Sequence, residues 1–316
     1  MTQRESIIKN LQAGAPILAC GDFMRTLDPV KLHGIFISAY FDRLKRKYAY
    51  VSEILKRTHN DWNQVLHELL FRAMDVSENR PAFERLSKIV TFLHVQREQL
   101  SQFAVEAMLL GASGLLTIYR DDDYIFSLKS EFCHFARKYE LEPMRVREWK
   151  LHGMRPYNHP VLRLSQIAAL LSQKEFLING ILDCRTPEDV ERLFDVSASE
   201  YWTSHFLPAK PSVEIPKRIG REKSHQLGIN IVTLIQYAYG YYIGDDNLHD
   251  RALELAERLP AENNIYTRRW AEYGVKAVNA FESQALIQIA TEYCKCRRCE
   301  ECPVGRFILA KADLDK

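Results

Sequence analysis

Apolar residues recur along most of this chain at the three- and four-residue spacing of an amphipathic α-helix. Alternating apolar and polar runs, which would indicate β-strands, are few. The clearest stripe follows Asp28-Pro29, where a capping residue precedes a proline at the first helical position. This pattern predicts a helix to about Arg57 with Leu32, Ile35, Phe36, Ala39, Tyr40 and Leu44 on its buried face.

Further start signals divide the chain into helices of ordinary length. Asn60-Asp61 and Asn79-Arg80-Pro81 each precede an apolar stripe, and Thr186-Pro187-Glu188-Asp189 is a capping box that includes proline. Asn279 opens a long helix that leads directly to Cys294. We predict an all-α fold, an irregular multi-helix array of roughly a dozen helices with a Cys-rich C-terminal tail.

The helical pattern stops between Leu207 and Lys223, where the chain becomes polar and contains Pro208, Pro211 and Pro216. Such a stretch is typical of a linker or a long loop. We predict a helical part at 1–207, a linker or loop at 208–223 and a second helical part at 224–316. The two parts are expected to pack as one compact unit.

Composition and charge exclude some classes of protein. The apolar share of 47% is that of a globular domain, and the net charge of +2 carries no overall signal for nucleic acid or membrane. Short basic runs are interpreted as solvated faces or loops. They comprise Arg43, Lys45, Arg46 and Lys47, then Lys217, Arg218, Arg221 and Lys223, then Lys295, Arg297 and Arg298.

The longest uncharged stretch, Gln226 to Gly244, contains several polar residues and is predicted to be a central buried helix rather than a membrane span. The N-terminal residues lack the charged-then-apolar pattern of a signal peptide. Seven cysteines, an odd number, without an export signal indicate reduced thiols and a cytoplasmic location.

Four of those seven cysteines fall within nine residues near the C-terminus. Cys294, Cys299 and Cys302 have the spacing C-x4-C-x2-C, and Cys296 is an extra thiol. Two cysteines separated by two residues can turn both sulfurs toward one ion. Lys295, Arg297 and Arg298 are expected to lower the thiol pKa values and so favour thiolates.

A complete thiolate site needs a fourth ligand, and either Cys296 or a remote residue such as Cys20 can supply it. Thiolate ligation suits zinc and iron–sulfur clusters alike. The alternative is a metal-free cysteine tail. Cys133 and Cys184 lie within helical patterns and are predicted to be small core residues.

Two other groups of residues invite a functional interpretation. Arg155, His159 and Arg163 follow one another around a proline-rich break and form a candidate anion-binding site; alternatively, Arg155 ties loop carbonyls together. The acidic trio Asp121, Asp122 and Asp123 resembles a magnesium site, but acidic residues in a first turn also complement the helix dipole. We favour that second interpretation for the trio.

Several segments together resemble an uncharacterised bacterial family, the domain-of-unknown-function family 2851. They are Leu110–Leu116, Met154-Arg155-Pro156 with Arg163–Ala168, Ser199-Glu200-Tyr201-Trp202, and Glu282–Gln288 through Cys302. The resemblance implies a cysteine before the first long helix together with the C-x4-C-x2-C tail. Those positions correspond here to Cys20, Cys294, Cys299 and Cys302, and Cys296 has no counterpart.

This cysteine arrangement is similar to that of the iron-staple nucleases, in which one upstream cysteine and a downstream trio close a cluster. Longer family members carry an N-terminal, β-rich region that looks nuclease-like, and the resemblance implies that this chain begins after it. Glu148 and Lys150 match a short nuclease fragment but depart from the family pattern, so we assign no catalytic residue.

The function predicted from the sequence is therefore a metal- or iron–sulfur-stapled helical accessory protein, associated with nucleic acid and with a separate nuclease activity. The alternative is a helical scaffold that binds a protein partner, with at most a structural metal and no catalysis. No paired base and nucleophile can be identified, which argues against an enzyme.

Overall fold

The structure is a computed structural model of the chain, and it describes residues 8–9, 12, 20–74, 78–174 and 177–314. The described residues are mainly helical. The α-helices are Gly21–Arg25 (α1), Pro29–Arg57 (α2), Trp62–Met74 (α3), Arg80–Ile89 (α4), Phe92–Glu98 (α5), Gln102–Ala112 (α6), Asp123–Lys138 (α7), Pro160–Gln173 (α8), Leu177–Asp183 (α9), Pro187–Phe194 (α10), Glu200–Thr203 (α11), Arg221–Leu227 (α12), Thr233–Ile243 (α13), Asp246–Arg258 (α14), Ile265–Glu272 (α15), Ala280–Gln288 (α16) and Pro303–Leu314 (α17).

Shorter elements complete the described chain. Two π-helical segments continue α12 and α16, three 3-10 turns lie in the connections, and one two-stranded antiparallel sheet is present. These elements are Gly228–Val232 and Ile289–Cys294 (π), Leu115–Ile118, Val146–Glu148 and Pro156–Asn158 (3-10), and His205–Leu207 (β1) with Lys210–Pro211 (β2). The all-α prediction is confirmed.

Local capping explains why several helices begin where the sequence predicted. Asp61 Oδ1 accepts the backbone N–H groups of Asn63 and Gln64 at 2.9 and 3.1 Å, at the start of α3. Thr186 and Asp189 form the predicted reciprocal capping box of α10. Asp122 accepts the N–H of Ile125 at 2.8 Å. The acidic trio therefore includes the cap of α7, as the second interpretation expected.

The chain divides into two compact units. The first comprises Met1–Val51 and Gln236–Lys316, and the second comprises Ser52–Ile235. Residues 208–223 lie within the second unit and include β2 of the small sheet. These units are groups of residues in mutual contact, and the predicted domain boundary at 208–223 stays a prediction.

The core of the first unit is aromatic and aliphatic. Phe281 of α16 packs edge-on against Tyr40 of α2, with ring centroids 5.1 Å apart. Trp270 is fully buried and donates its indole N–H to the carbonyl of Leu286 at 3.0 Å. Cys302 belongs to this core, and Cys20 and Cys294 pack against it. Three of the predicted site cysteines are therefore positioned by the hydrophobic core of this unit.

Helix α6 forms the centre of the second unit. Its residues from Ala104 to Ala112 are buried, and it packs against α7 and α8. Gly111 permits the close approach of α7, because a Cβ there would lie 2.0 Å from Cγ of Phe132. Gly114 adopts a left-handed φ of 75° after the end of α6, a conformation that favours glycine.

The segment from α12 to α13 is largely buried, which confirms the prediction of a buried helix at Gln226 to Gly244. Among the described residues, no helix is both long and apolar enough to span a membrane. One prediction about the helices was incomplete. Helix α17 follows the cysteine segment, where a tail was expected.

Candidate functional site

Three of the four cysteines implied by the family resemblance lie at ends of helical segments in the first unit, and the fourth lies in a turn. Cys20 directly precedes α1, and Cys294 is the last residue of the π-helical segment Ile289–Cys294. Cys302 directly precedes α17, and Cys299 lies in the turn between them. The thiol of Cys302 is buried, and the other three residues are half-buried.

Close backbone packing holds the turn that carries Cys299 and Cys302. A Cβ added at Gly305 would lie 1.9 Å from the carbonyl oxygen of Cys299, so the first turn of α17 rests on that peptide. The N–H of Cys302 donates to the carbonyl of Arg298 at 3.1 Å. On the other side of the site, a Cβ at Gly21 would lie 2.7 Å from Cβ of Tyr273. Glycine is therefore required beside two of the cysteines.

The four thiols lie near enough to influence one another's ionisation. Burial, together with smaller contributions from the thiols of Cys302 and Cys299, raises the pKa of Cys20 to about 12. Burial also raises the pKa of Cys294, with added contributions from Cys302, Cys20 and Cys299. Without a metal these groups are neutral thiols at pH 7, because each negative charge would be both desolvated and repelled.

Cys302 has a surrounding that partly favours its thiolate. Burial raises its pKa, whereas backbone N–H groups of Gly305 and Val304 donate to its sulfur and act in the opposite direction. A sulfur at the start of a helix that accepts such donors is a suitable metal ligand. Burial still has the larger effect at Cys302.

The prediction that the neighbouring basic residues lower the thiol pKa values is wrong for these four cysteines. Lys295 and Arg297 point to solvent, and Arg298 forms an ion pair with Glu301 and lies 5.7 Å from the ring centroid of Tyr293. The pKa values of Cys20, Cys294, Cys299 and Cys302 are all raised, with burial the largest cause in each. Desolvation raises the thiol pKa values more than cations that are close in sequence lower them.

The remaining cysteines are separate from this group. Cys296 is exposed, and its sulfur lies 3.7 Å from the carbonyl oxygen of Thr291. Cys184 is buried, as predicted for a small core residue, but Cys133 is exposed, so that prediction was wrong. Cys133 lies on the solvent-facing side of α7, which the apolar stripe of that helix does not include.

Within residues 20–74, 78–174 and 177–314, no group of three or more His, Cys, Asp or Glu side chains has the arrangement of a metal site. The donor chemistry of the four thiols nevertheless suits a soft metal ion or an iron–sulfur cluster. Metal binding would require the sulfur atoms to rearrange and to lose their protons.

The three predicted anion-binding residues have different environments. His159 is buried, accepts the N–H of Val161 at Nδ1, and has its pKa lowered to about 4 by burial. Arg163 is also buried and donates to Asn158 and Gln166, each at 2.9 Å. Arg155 is exposed, and within the described chain its side chain makes no hydrogen bond or ion pair, so it does not tie loop carbonyls.

Arg155 lines a surface cavity of about 360 Å³. The other lining residues come from the same loop and from the start of α4: Glu78, Asn79, Lys150, His152, Gly153, Met154 and Asn158. Neither His159 nor Arg163 is part of this lining. The predicted anion-binding set is thus divided between a cavity wall and the buried layer that supports Asn158.

A family model described as "Protein of unknown function (DUF2851)" matches residues 2–265. The chain belongs to the DUF2851 family. The match includes Cys20 and the whole second unit and ends before Cys294. Searches of curated proteins and of solved structures found no match.

The DUF2851 chain also contains a buried polar network that the sequence analysis did not identify. Glu106 is buried in α6 and accepts hydrogen bonds from the indole N–H of Trp202 at 2.5 Å and the hydroxyl of Tyr124 at 3.0 Å. Burial raises the pKa of Glu106. Tyr124 stacks on Tyr201, and Tyr201 stacks on His205. The Ser199–Trp202 segment was the available signal, because it supplies Tyr201 and Trp202 to this network.

Lys217 is a second residue whose role the sequence did not indicate. Its ammonium group donates to the carbonyls of Thr203 and Ile215, both at 2.9 Å, and lies 4.1 Å from the ring centroid of Phe206. The interpretation of Lys217 as a solvated residue is therefore wrong. This buried cation ties the loop after β2 to α11.

Proposed function

We propose that this DUF2851 chain is a helical accessory protein whose first unit is stapled by a metal ion or an iron–sulfur cluster. Cys20, Cys294, Cys299 and Cys302 are the proposed ligands. The observation that carries the proposal is that Cys20, Cys294 and Cys302, which are far apart in the sequence, pack in one hydrophobic core, and that Cys299 is near enough to raise the pKa values of all three. Thiolates are the ligands of zinc and of iron–sulfur clusters.

Such a staple would act mainly on stability. It would join the segment before α1 to the segment before α17, so the closed loop would contain nearly the whole sequence. Closing a long loop removes entropy from the unfolded chain, and thiolate–metal bonds exist only in the folded chain. Removal of the ion with a chelator should therefore lower the Tm of the first unit.

Metal content and visible absorption of protein purified without oxygen test the staple. Iron with sulfide and a brown colour would select the cluster, and stoichiometric zinc would select a structural ion. Cys20→Ser should lose most of the metal, whereas Cys296→Ser, a change at an exposed thiol in the same segment, should keep it. Metal-free wild-type protein, or equal loss in both variants, would contradict the proposal.

We further propose that the accessory role is performed on nucleic acid, with nuclease activity supplied by a separate protein. Lys295 and Arg297 support this, because both are exposed and form no ion pair within the described part of the chain. Binding through phosphate contacts should weaken steeply with added salt. The Lys295→Gln, Arg297→Gln double variant should reduce that salt dependence, and Arg147→Gln, at an exposed arginine of the second unit, should not. Undetectable nucleic-acid binding would refute this part.

The alternative is a scaffold that binds another protein. It is favoured by the exposed apolar end of α13, where Tyr241, Tyr242 and Ile243 are 60%, 48% and 50% exposed. Exposed aromatic residues are enriched at protein interfaces. Binding of a protein partner that is lost in Tyr241→Ser, together with no affinity for DNA or RNA, would select this function.

A further inference from the structure

We infer that the cavity beside Arg155 in the second unit binds a small phosphate-bearing molecule. This inference is independent of the cysteine site. The cavity volume of about 360 Å³ falls in the range of small-molecule sites, about 300–1,000 Å³. Its lining contains an arginine and a lysine, Arg155 and Lys150, and one carboxylate, Glu78.

The two cations of the cavity are not paired with carboxylates of the described chain. Within the described chain, neither Arg155 nor Lys150 forms an ion pair, whereas several other exposed arginines of this unit do so. Arg85, for example, is held by Glu148 at 2.6 Å, and Arg218 is held by Asp195 at 2.8 Å. An arginine fork and a lysine point charge are together the usual ligands of a phosphate group.

Buried side chains hold the loop that presents these cations. Asn79 is 1% exposed, and its amide pairs with the backbone of Lys150 in both directions: Nδ2 donates to the carbonyl at 2.9 Å and Oδ1 accepts the N–H at 2.7 Å. Asn79 occupies the N-cap position of α4 without capping it. Its hydrogen-bonding capacity is thus used to fix the first end of the loop.

The other end of the loop is fixed by a buried cation. Arg163 is 7% exposed, has no carboxylate partner in the described chain, and donates to Oδ1 of Asn158 at 2.9 Å. Its Nε is buried without a hydrogen-bond acceptor. Arg163 therefore fixes the orientation of Asn158, which lines the cavity, and it adds positive potential behind the cavity wall.

The loop backbone is also open to a ligand. Gly153 lines the cavity with a left-handed φ of 72°, and a Cβ there would meet nothing within 4 Å. Backbone N–H groups in such turns contribute to anion binding. Glu78 makes the lining less favourable for a bare anion than for a molecule that carries both a phosphate and hydroxyl donors, since a carboxylate repels negative charge and accepts hydrogen bonds from sugar hydroxyls.

Isothermal titration of the full chain with inorganic phosphate and with a nucleoside monophosphate tests this inference, at constant ionic strength maintained with chloride. We expect saturable one-to-one binding, tighter for the nucleotide. Arg155→Gln and Lys150→Gln should each weaken both ligands by about tenfold. Glu78→Gln should strengthen phosphate binding and reduce the preference for the nucleotide.

Arg147→Gln is the matched control, because it removes an exposed positive charge from the 3-10 turn that precedes the loop. The affinity of this variant for both ligands should stay within about twofold of that of the wild type. All these side chains are exposed, so circular dichroism should report unchanged folding. Absence of saturable binding by both probes would overturn the inference. Equal weakening by Arg147→Gln and Arg155→Gln would also overturn it, since it would indicate general screening.

Discussion

Replacement of Gly305 by alanine tests how the cysteine turn is held. The added methyl carbon would lie 1.9 Å from the carbonyl oxygen of Cys299, 2.9 Å from its carbonyl carbon and 3.5 Å from its Cα. These are backbone atoms, so no change of side-chain rotamer can remove the overlap. Helix α17 or the turn before it must move, and the positions of Cys299 and Cys302 would change with it.

The expected magnitude follows from two opposing effects. Forcing a methyl group into packed structure costs about 1–3 kcal/mol, and a clash with backbone belongs at the upper end of that range. Alanine in place of a helical glycine returns about 0.5–1 kcal/mol. We therefore expect Gly305→Ala to lower the free energy of unfolding by about 2 kcal/mol.

Gly34→Ala is the matched control in the same unit. Gly34 lies within α2, and a Cβ there would meet nothing within 4 Å, so only the helix-propensity term applies and the variant should gain about 0.5–1 kcal/mol. Urea unfolding followed by circular dichroism measures both changes, and hydrogen exchange of residues 289–314 locates the effect. A Gly305→Ala protein as stable as Gly34→Ala would refute the described packing of α17 on Cys299.

Three further predictions concern buried groups of the second unit. His67 is fully buried and its pKa is lowered to about 4, so between pH 4 and 6.5 the folded state binds fewer protons than the unfolded state. The free energy of unfolding should therefore fall by up to about 3 kcal/mol from pH 6.5 to 4. In acid unfolding, His67→Gln should reduce this pH dependence, whereas His134→Gln, at an exposed histidine, should not. Lys217→Met should lower the free energy of unfolding by about 2–4 kcal/mol, because two carbonyls lose their donor; urea unfolding unchanged from wild type would contradict this. In the same assay, Glu106→Ala should lower the free energy of unfolding by about 3–5 kcal/mol, and Glu106→Gln should lower it much less, since glutamine keeps an acceptor for Trp202. Equal decreases in the two variants would show that these hydrogen bonds do not contribute to stability.

Local sequence signals were sufficient for most helix starts. Asp28-Pro29 correctly predicted the helix Pro29–Arg57, because a cap and a proline act within one turn of chain. The capping box at Thr186 was found for the same reason. Asn79 shows the limit of such signals. It stands at an N-cap position, but its amide is bonded to the backbone of Lys150, a residue far along the chain.

The burial of individual side chains at the candidate sites could not be predicted from the sequence. Lys295, Arg297 and Arg298 suggested lowered thiol pKa values, but desolvation of the cysteines has the larger effect. Lys217 lies in a basic, proline-containing stretch and is nevertheless 1% exposed. Cys133 and Cys184 have similar local patterns and opposite exposures. Each of these outcomes depends on tertiary contacts, which neighbouring residue types do not specify.

X-ray absorption at the iron and zinc edges, on full-length protein purified without oxygen, tests the central claim most directly. Ligation by Cys20, Cys294, Cys299 and Cys302 predicts a metal edge with a shell of sulfur atoms at about 2.3 Å, and this shell should be incomplete in Cys20→Ser. Absence of metal, or a first shell of nitrogen and oxygen alone, would contradict the claim.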